Sequence, residues 1–134
     1  MSEEAPSYVG PHEGREFDLM IAGQKHLSMF VFEGSEKYTD YPDPRFDEFV
    51  ANGRFVKAEK IEKYTLSNGR ELSTRYVLYA DAQEAWRIPA MLMVQSLYLT
   101  LLPGRRPDLE RVIGELLGYD RADVEQFITW LRQP

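Results

Sequence analysis

The chain has 134 residues, of which 43% are hydrophobic, 13% aromatic and 28% charged, and its formal net charge is -6 at pH 7. This composition is typical of one globular domain and excludes disorder of the whole chain. The sequence contains no cysteine, which excludes disulfides, a thiol nucleophile and thiolate-ligated metal centres within it.

The charge is distributed unevenly along the chain. Residues 1–52 contain 11 acidic and 4 basic side chains (net -7), residues 53–88 contain 5 and 7 (net +2), and residues 89–134 contain 6 and 5 (net -1). Binding of nucleic acid through a broad basic surface is not expected, because phosphates are neutralised by clustered Lys and Arg. The longest apolar stretch, residues 90–102, is shorter than the ~20 residues that span a membrane. We therefore expect a soluble, cytoplasmic protein that does not enter a membrane.

In chain order, residues 1–12 show no periodicity, and we expect them to form a flexible N-terminal arm ahead of a single domain, residues 13–134. Apolar side chains three and four positions apart predict a short helix over residues 15–22, which Gly23 ends. Residues 26–33 are rich in aromatic and branched side chains and predict a buried strand. A polar loop then leads to a second short helix, which begins at Pro44 and ends before Gly53.

The strongest local signal is a β-hairpin around Asn68 and Gly69, the favoured pair for a two-residue type I′ turn. Two extended runs, residues 54–66 and 70–80, flank this turn. With a two-residue turn, the predicted opposite pairs are Ile61 with Tyr76, Ala58 with Tyr79, and Glu62 with Arg75. One predicted face then collects Phe55, Ile61, Leu72, Tyr76 and Leu78.

The remainder of the chain predicts one more strand and three helices. We expect a turn at residues 81–83, a strand over residues 85–88 and a helix over residues 89–102, which is apolar almost all round. Asp81 and Glu84 alternatively resemble a capping box that starts a helix there, but Pro89 would then interrupt it. A helix apolar all round belongs in the core or in an oligomer interface. If this helix lies in the core, Leu97, near its middle, is buried there.

Two amphipathic helices end the chain: one over residues 107–117, which Gly118 ends, and one that Asp120 caps, with Val124, Phe127, Ile128 and Leu131 on one stripe. The short connection between them predicts an antiparallel pair. Val112 is expected on the buried side of the first of them. The predicted fold is α+β: a small antiparallel sheet of about four strands, with the Asn-Gly hairpin at its centre, packed on a buried helix and followed by the C-terminal helix pair.

The first candidate site lies between Gly10 and Arg15. His12 and Glu13 suit general acid–base chemistry, since histidine titrates near neutrality and a neighbouring carboxylate can orient it, while Arg15 suits an anion. His12, Glu13 and His26 form the single combination of two histidines and a carboxylate that a metal would need. No ligand spacing supports such a site, so we expect neither a metal nor a cofactor.

The second candidate site is an acidic and aromatic stretch between the first strand and the second helix. Tyrosines supply rigid contact area, and acidic side chains steer basic partners by long-range attraction. The expected partner-binding residues are Tyr38, Asp40, Tyr41, Asp43, Asp47 and Glu48.

Two functions of different classes follow from these sites. The leading hypothesis is a small acidic module that docks on a protein partner, with a basic protein as one candidate, and acts as an inhibitor, neutraliser or adaptor; a homodimer stays open. The alternative is a small-molecule-binding protein or enzyme with a pocket between the sheet and the helix that begins at Pro89. His12, Glu13, Arg15 and His26 would then lie at the mouth of that pocket.

Overall fold

The computed structural model describes residues 14–33, 43–100 and 107–131. Within these ranges the chain forms three strands, five α-helices and one short 3₁₀-helix. In chain order these are α1 (Glu16–Ile21), β1 (Leu27–Glu33), α2 (Arg45–Ala51), β2 (Phe55–Thr65), β3 (Glu71–Asp81), the 3₁₀-helix (Ala82–Glu84), α3 (Arg87–Thr100), α4 (Pro107–Leu117) and α5 (Arg121–Leu131).

The strands form one antiparallel sheet in the order β1-β3-β2, with helices packed on both faces. Successive side chains of a strand point to opposite faces, so neighbouring residues of β3 enter two different cores. The α1/α2 core contains Met20, Phe30, Phe32, Phe46, Phe55, Val77 and Tyr79. The α3/α4 core contains Leu27, Tyr76, Leu78, Ala80, Ile88, Met91, Val94, Leu109 and Leu116. The predicted α+β class and the antiparallel sheet are confirmed.

The turn between β2 and β3 is not the predicted two-residue turn. The strands close on Leu66, whose N–H donates to the carbonyl of Arg70 at 2.7 Å, so the loop holds three residues, 67–69. Gly69 has φ 86°, but no non-glycine residue of the described chain has a positive φ. A type I′ turn needs positive φ at both Asn68 and Gly69, whereas one left-handed glycine after a type I turn is typical of the three-residue hairpin with a bulge.

The additional loop residue shifts the whole register by one. Ile61 lies opposite Arg75 rather than Tyr76, and Ala58 and Glu62 lie opposite Leu78 and Thr74. A one-residue shift sends each side chain to the other face relative to its partner strand, so the predicted apolar face was wrong. Its members are divided: Phe55 enters the α1/α2 core, Tyr76 and Leu78 enter the α3/α4 core, and Ile61 is 59% exposed.

The strand predicted over residues 85–88 is also wrong. The 3₁₀-helix follows β3 directly and α3 begins at Arg87, so the described chain has three strands rather than four. Pro89 is tolerated because it falls in the first turn of α3, where a backbone N–H has no helical acceptor. α3 buries Ile88, Met91 and Val94, but Leu97 is 38% exposed, so the helix is not buried on all sides.

The C-terminal helix pair is confirmed. Gly114 of α4 packs against Val124 of α5, and Arg111 of α4 donates two hydrogen bonds to the carboxylate of Glu125, at 2.8 and 3.0 Å. Residue numbers rise along one helix as they fall along the other, as an antiparallel pair requires. Val112 was expected on the buried face but is 43% exposed. Among the described residues, no helix has both the length and the apolar character that crossing a membrane requires.

Candidate functional site

Half of the predicted partner-binding residues fall within the described chain. Tyr38, Asp40 and Tyr41 lie outside the described residues. Asp47 and Glu48 are exposed on the first turn of α2, in keeping with a surface role.

Asp43 is bonded to Arg45, two residues further along the chain. Its carboxylate accepts hydrogen bonds from the Arg45 side chain at 2.6 to 3.1 Å and from the Arg45 backbone N–H at 2.9 Å. These bonds hold the pKa of the Asp43 carboxyl below its ordinary value. The geometry gives Asp43 the role of ordering the start of α2.

The residues predicted around the acid–base site are only partly described. His12 and Glu13 lie outside the described ranges, and Arg15 is an exposed residue just before α1. His26 precedes β1, where its Nδ1 and the Oδ2 of Asp81 are 2.5 Å apart. The backbone N–H of Asp81 donates to the His26 carbonyl at 3.1 Å, so the pair bridges the ends of β1 and β3.

His26 lines a cleft of about 440 Å³ at this end of the sheet, away from the interface between the sheet and α3. The cleft forms where α1 turns into β1 and α2 turns into β2. α1 ends in a Schellman motif, in which Gly23 has φ 76° and Gln24 donates to the Leu19 carbonyl, and this directs the chain into the sheet. The other residues lining the cleft are Met20, Gly23, Gly53, Arg54, Asp81, Ala82, Gln83 and Glu84.

Arg54 is held in a defined position at the cleft. Its Nη2 donates to the carbonyl of Ile21 at 2.7 Å, and its guanidinium carbon lies 5.5 and 5.4 Å from the ring centroids of Phe49 and Phe55. Cation–π contacts of this length contribute about 0.5–1 kcal/mol at an exposed site. Arg54 therefore presents a preorganised positive charge.

Glu84 connects the cleft to an exposed tryptophan. The indole N–H of Trp86 donates to Glu84 Oε2 at 2.5 Å, and the guanidinium of Arg87 lies 4.9 Å from the indole ring centroid. Arg87 is itself anchored, because its Nη1 donates to the carbonyls of Glu115 and Leu116 at 3.1 Å. The Trp86 side chain is thus fixed although it is 56% exposed.

Trp86, directly before α3, begins a row of exposed apolar side chains on the outer face of that helix. Met93 is 62% exposed and Leu97 38% exposed, and no residue from 88 to 100 is charged. At 3.6 residues per turn, positions 86, 93 and 97 fall on one side of the helix. We call Trp86, Met93 and Leu97 the α3 stripe.

Lys25 is a buried cation that sequence reasoning missed. It is 2% exposed, and its Nζ donates at 2.5 Å to the carbonyl of Leu117, the last residue of α4. Burial lowers the pKa of Lys25 to about 8, and the nearby Glu16 carboxylate opposes part of this shift. A cation at a helix C-terminus satisfies carbonyls that have no helical partner, so this lysine has a structural explanation.

Comparison of the chain with known protein families, curated proteins and solved structures finds no match. In the described ranges no three His, Asp or Glu side chains gather where they could hold a metal ion. The sites missed from sequence, Arg54, Asp81 and the α3 stripe, are each defined by strand pairing or helix docking. The lack of charge over residues 88–100 was the usable signal for the α3 stripe, and it predicted either a core helix or an oligomer interface.

Proposed function

We propose that this chain is a protein-binding module that docks its partner on the α3 stripe. The observation that carries the proposal is a surface helix with no charge from residue 88 to residue 100 and a 62% exposed Met93. A surface helix ordinarily turns charged residues to solvent. α4 does so with Asp108, Glu110, Arg111 and Glu115, whereas α3 does not.

The residue types of the stripe suit binding. Tryptophan is enriched among the residues that dominate binding energy, and methionine adapts to partner surfaces. Trp86 is already fixed by Glu84 and Arg87, so little side-chain entropy remains to be lost when a partner covers it. These properties favour Trp86 and Met93 as the central contacts.

The charge of the chain favours a basic partner. α4, which packs beside α3, has three acidic residues and one arginine, and the whole chain has a net charge of -6. Two copies of the chain would repel each other, whereas a basic protein would be attracted over about a Debye length, 8–10 Å. Asp47 and Glu48 of α2 add two acidic side chains on the opposite face of the sheet. An inhibitor, neutraliser or adaptor of a basic protein fits these features.

The test compares Met93 with Ile61, which is equally exposed (59%) but lies on β2. A photo-crosslinking residue at each position identifies proteins that contact it, and calorimetry then measures binding of the purified partner. Met93→Lys should weaken binding at least about tenfold, as expected for a central contact. Ile61→Lys should leave binding unchanged, and both variants should keep the stability of the parent.

The outcomes separate the proposal from its competitors. Crosslinks at Met93 and at Ile61 to the same proteins, or equal binding by the two lysine variants, would refute docking on the α3 stripe. Sedimentation analysis covers the homodimer: a dimer that Met93→Lys dissociates would mean that a second copy, and not a basic partner, occupies the stripe. For a basic partner, the association rate should fall steeply with salt, and the Glu110→Gln/Glu115→Gln variant of α4, the helix that packs beside α3, should show a flatter dependence.

A further inference from the structure

We propose that Met93 is a site of reversible oxidation by peroxides, and that its oxidation turns the α3 stripe from an apolar surface into a polar one. The reactant is an uncharged two-electron oxidant, hydrogen peroxide or an alkyl hydroperoxide, so the net charge of -6 does not hinder its approach. Selective oxidation depends on this chain alone, whereas the loss of docking that follows from it rests on the proposed function.

Met93 differs in exposure from the methionines of the two cores. It is 62% exposed, whereas Met20 and Met91 are 0% exposed. Met29 is partly buried and packs against the α3/α4 core. A peroxide oxidises a thioether only where it reaches the sulfur, so exposure selects among the methionines. We therefore expect Met93 to react first in the folded chain.

The two buried sulfurs are also engaged in hydrogen bonds. Ser28 Oγ donates to the sulfur of Met20 at 3.1 Å, and Gln95 Nε2 donates to the sulfur of Met91 at 3.9 Å. These weak bonds use the sulfur lone pairs that would attack a peroxide. Met93 makes no hydrogen bond to any described residue, so its lone pairs face solvent.

The preceding turn of α3 leaves the Met93 thioether uncovered. A long helical side chain leans toward the N-terminus of its helix, over the positions three and four residues earlier. For Met93 these positions hold Ala90 and Pro89, two short side chains, and Pro89 is itself exposed. Packing within the helix therefore gives the sulfur no protection.

The oxidation is a two-electron transfer of one oxygen atom. A lone pair of the Met93 sulfur attacks one peroxide oxygen, and the S–O bond forms as the O–O bond breaks. The sulfur loses two electrons, and the departing hydroxide takes the proton of the transferred oxygen and leaves as water. The product is methionine sulfoxide, which methionine sulfoxide reductases return to methionine.

The sulfoxide changes the character of the α3 stripe. Its S=O group is polar and accepts hydrogen bonds, whereas the thioether is apolar. A partner that covers Met93 would bury this oxygen in an apolar contact, and no residue from 88 to 100 is a lysine or arginine that could follow it there. Burial of a polar group without a donor is unfavourable, so oxidation should weaken docking about ten- to hundredfold.

The first experiment treats the folded full chain with hydrogen peroxide and follows each methionine by peptide mass spectrometry. Met93 should be oxidised at least about tenfold faster than Met20 and Met91, because a buried sulfur reacts only after local opening of the fold. The same treatment in urea should remove the difference between the three. Chain oxidised at Met93 alone should keep the urea midpoint of the parent, since the residue lies outside both cores.

The second experiment measures the polarity of the stripe by retention on a phenyl-agarose column, which needs no partner. Chain oxidised at Met93 should elute earlier than the parent, and treatment with methionine sulfoxide reductases for both epimers should restore the retention. The matched variant Met93→Leu has no sulfur at this position. Its retention should be the same before and after exposure to peroxide.

The third experiment uses a partner that is crosslinked at Met93. Oxidation should weaken its binding at least about tenfold in the parent, whereas the affinity of Met93→Leu should be equal before and after peroxide treatment.

Three results would overturn the proposal. They are oxidation of Met91 or Met20 as fast as that of Met93 in the folded chain, unchanged retention of the Met93 sulfoxide form, and unchanged affinity of that form for a partner whose binding Met93→Lys weakens. Failure of the proposed function has a different signature, because the unoxidised chain would then bind no partner at the α3 stripe. The oxidation rates and the retention on the column would still decide whether Met93 is the modified site.

Discussion

The buried Lys25 should make the folded state more stable as the pH rises from 7 to 10. In the folded chain its pKa is about 8, against 10.5 for an ordinary lysine, because burial penalises the charged form. Between these two values the unfolded chain binds more protons than the folded chain, and stability therefore increases with pH in this window. Below about pH 8 both states are protonated, and the cost of burying the charge is present in full.

The magnitude follows from the size of the shift. Each pKa unit corresponds to about 1.4 kcal/mol, so the full effect is about 3 kcal/mol, of which about 2.5 kcal/mol is gained between pH 7 and pH 10. The window ends at pH 10 because burial raises the pKa of Tyr79 to about 12. The unfolded chain loses that proton first, so Tyr79 lowers stability above pH 10.

Urea unfolding at pH 7, 8, 9 and 10 checks this prediction with the parent chain, Lys25→Met and Lys63→Met. The free energy of unfolding of the parent, relative to Lys25→Met, should rise by about 2–2.5 kcal/mol across the series. Lys63 is exposed on β2, so the difference between the parent and Lys63→Met should stay constant. A difference between the parent and Lys25→Met that changes by less than about 0.5 kcal/mol would refute the burial of a protonated Lys25 against α4.

Three further predictions concern packing. Gly114→Ala places a Cβ 2.4 Å from Cγ2 of Val124. Calorimetric unfolding should therefore show a free energy of unfolding lower by about 1–2 kcal/mol, although alanine has the better helix propensity. Adding Val124→Ala should restore part of this loss. Tyr79→Phe keeps the 4.2 Å stack on Phe46 and removes a buried hydroxyl that has no hydrogen-bond partner in the described chain. The free energy of unfolding should therefore change by less than about 0.5 kcal/mol or increase. A loss above about 1 kcal/mol would show that the hydroxyl has a partner. Met91→Ala should lower the free energy of unfolding by about 2–5 kcal/mol because Met91 is fully buried, whereas Leu97→Ala should lower it by about 1 kcal/mol or less. Equal losses for the two variants in urea unfolding would place both side chains in the core.

Short-range sequence signals determined the helices of this protein well. α1, α2 and α4 begin and end within two residues of the sequence prediction, and α5 begins directly after Asp120, its predicted N-cap. Their boundaries depend on a glycine, a proline or an apolar repeat within one or two turns, and such local chemistry acts in the isolated chain as it does in the fold. The fold class followed for the same reason, since amphipathic helices and extended runs must cover one another.

Tertiary structure decided those features for which the local sequence allows two conformations, as it does for the loop between β2 and β3. The Ser-Asn-Gly segment accommodates a two-residue or a three-residue loop, and the selected loop is the one that places Phe55 of β2 in the α1/α2 core with Val77 and Tyr79 and packs Ala58 against the α3/α4 core. Both faces of the central strand are covered by helices, so a shift of one residue relative to β2 changes which β2 side chains join each core.

The candidate sites were decided by contacts between distant parts of the chain. His26 and Asp81 are 55 positions apart, and Lys25 and Leu117 are 92 positions apart. No local pattern encodes these pairs, because each arises only when strand pairing or helix docking brings two segments together. The sequence therefore supplied the charges and apolar side chains, while packing determined which of them are paired, which are buried and which remain exposed on α3 and in the cleft.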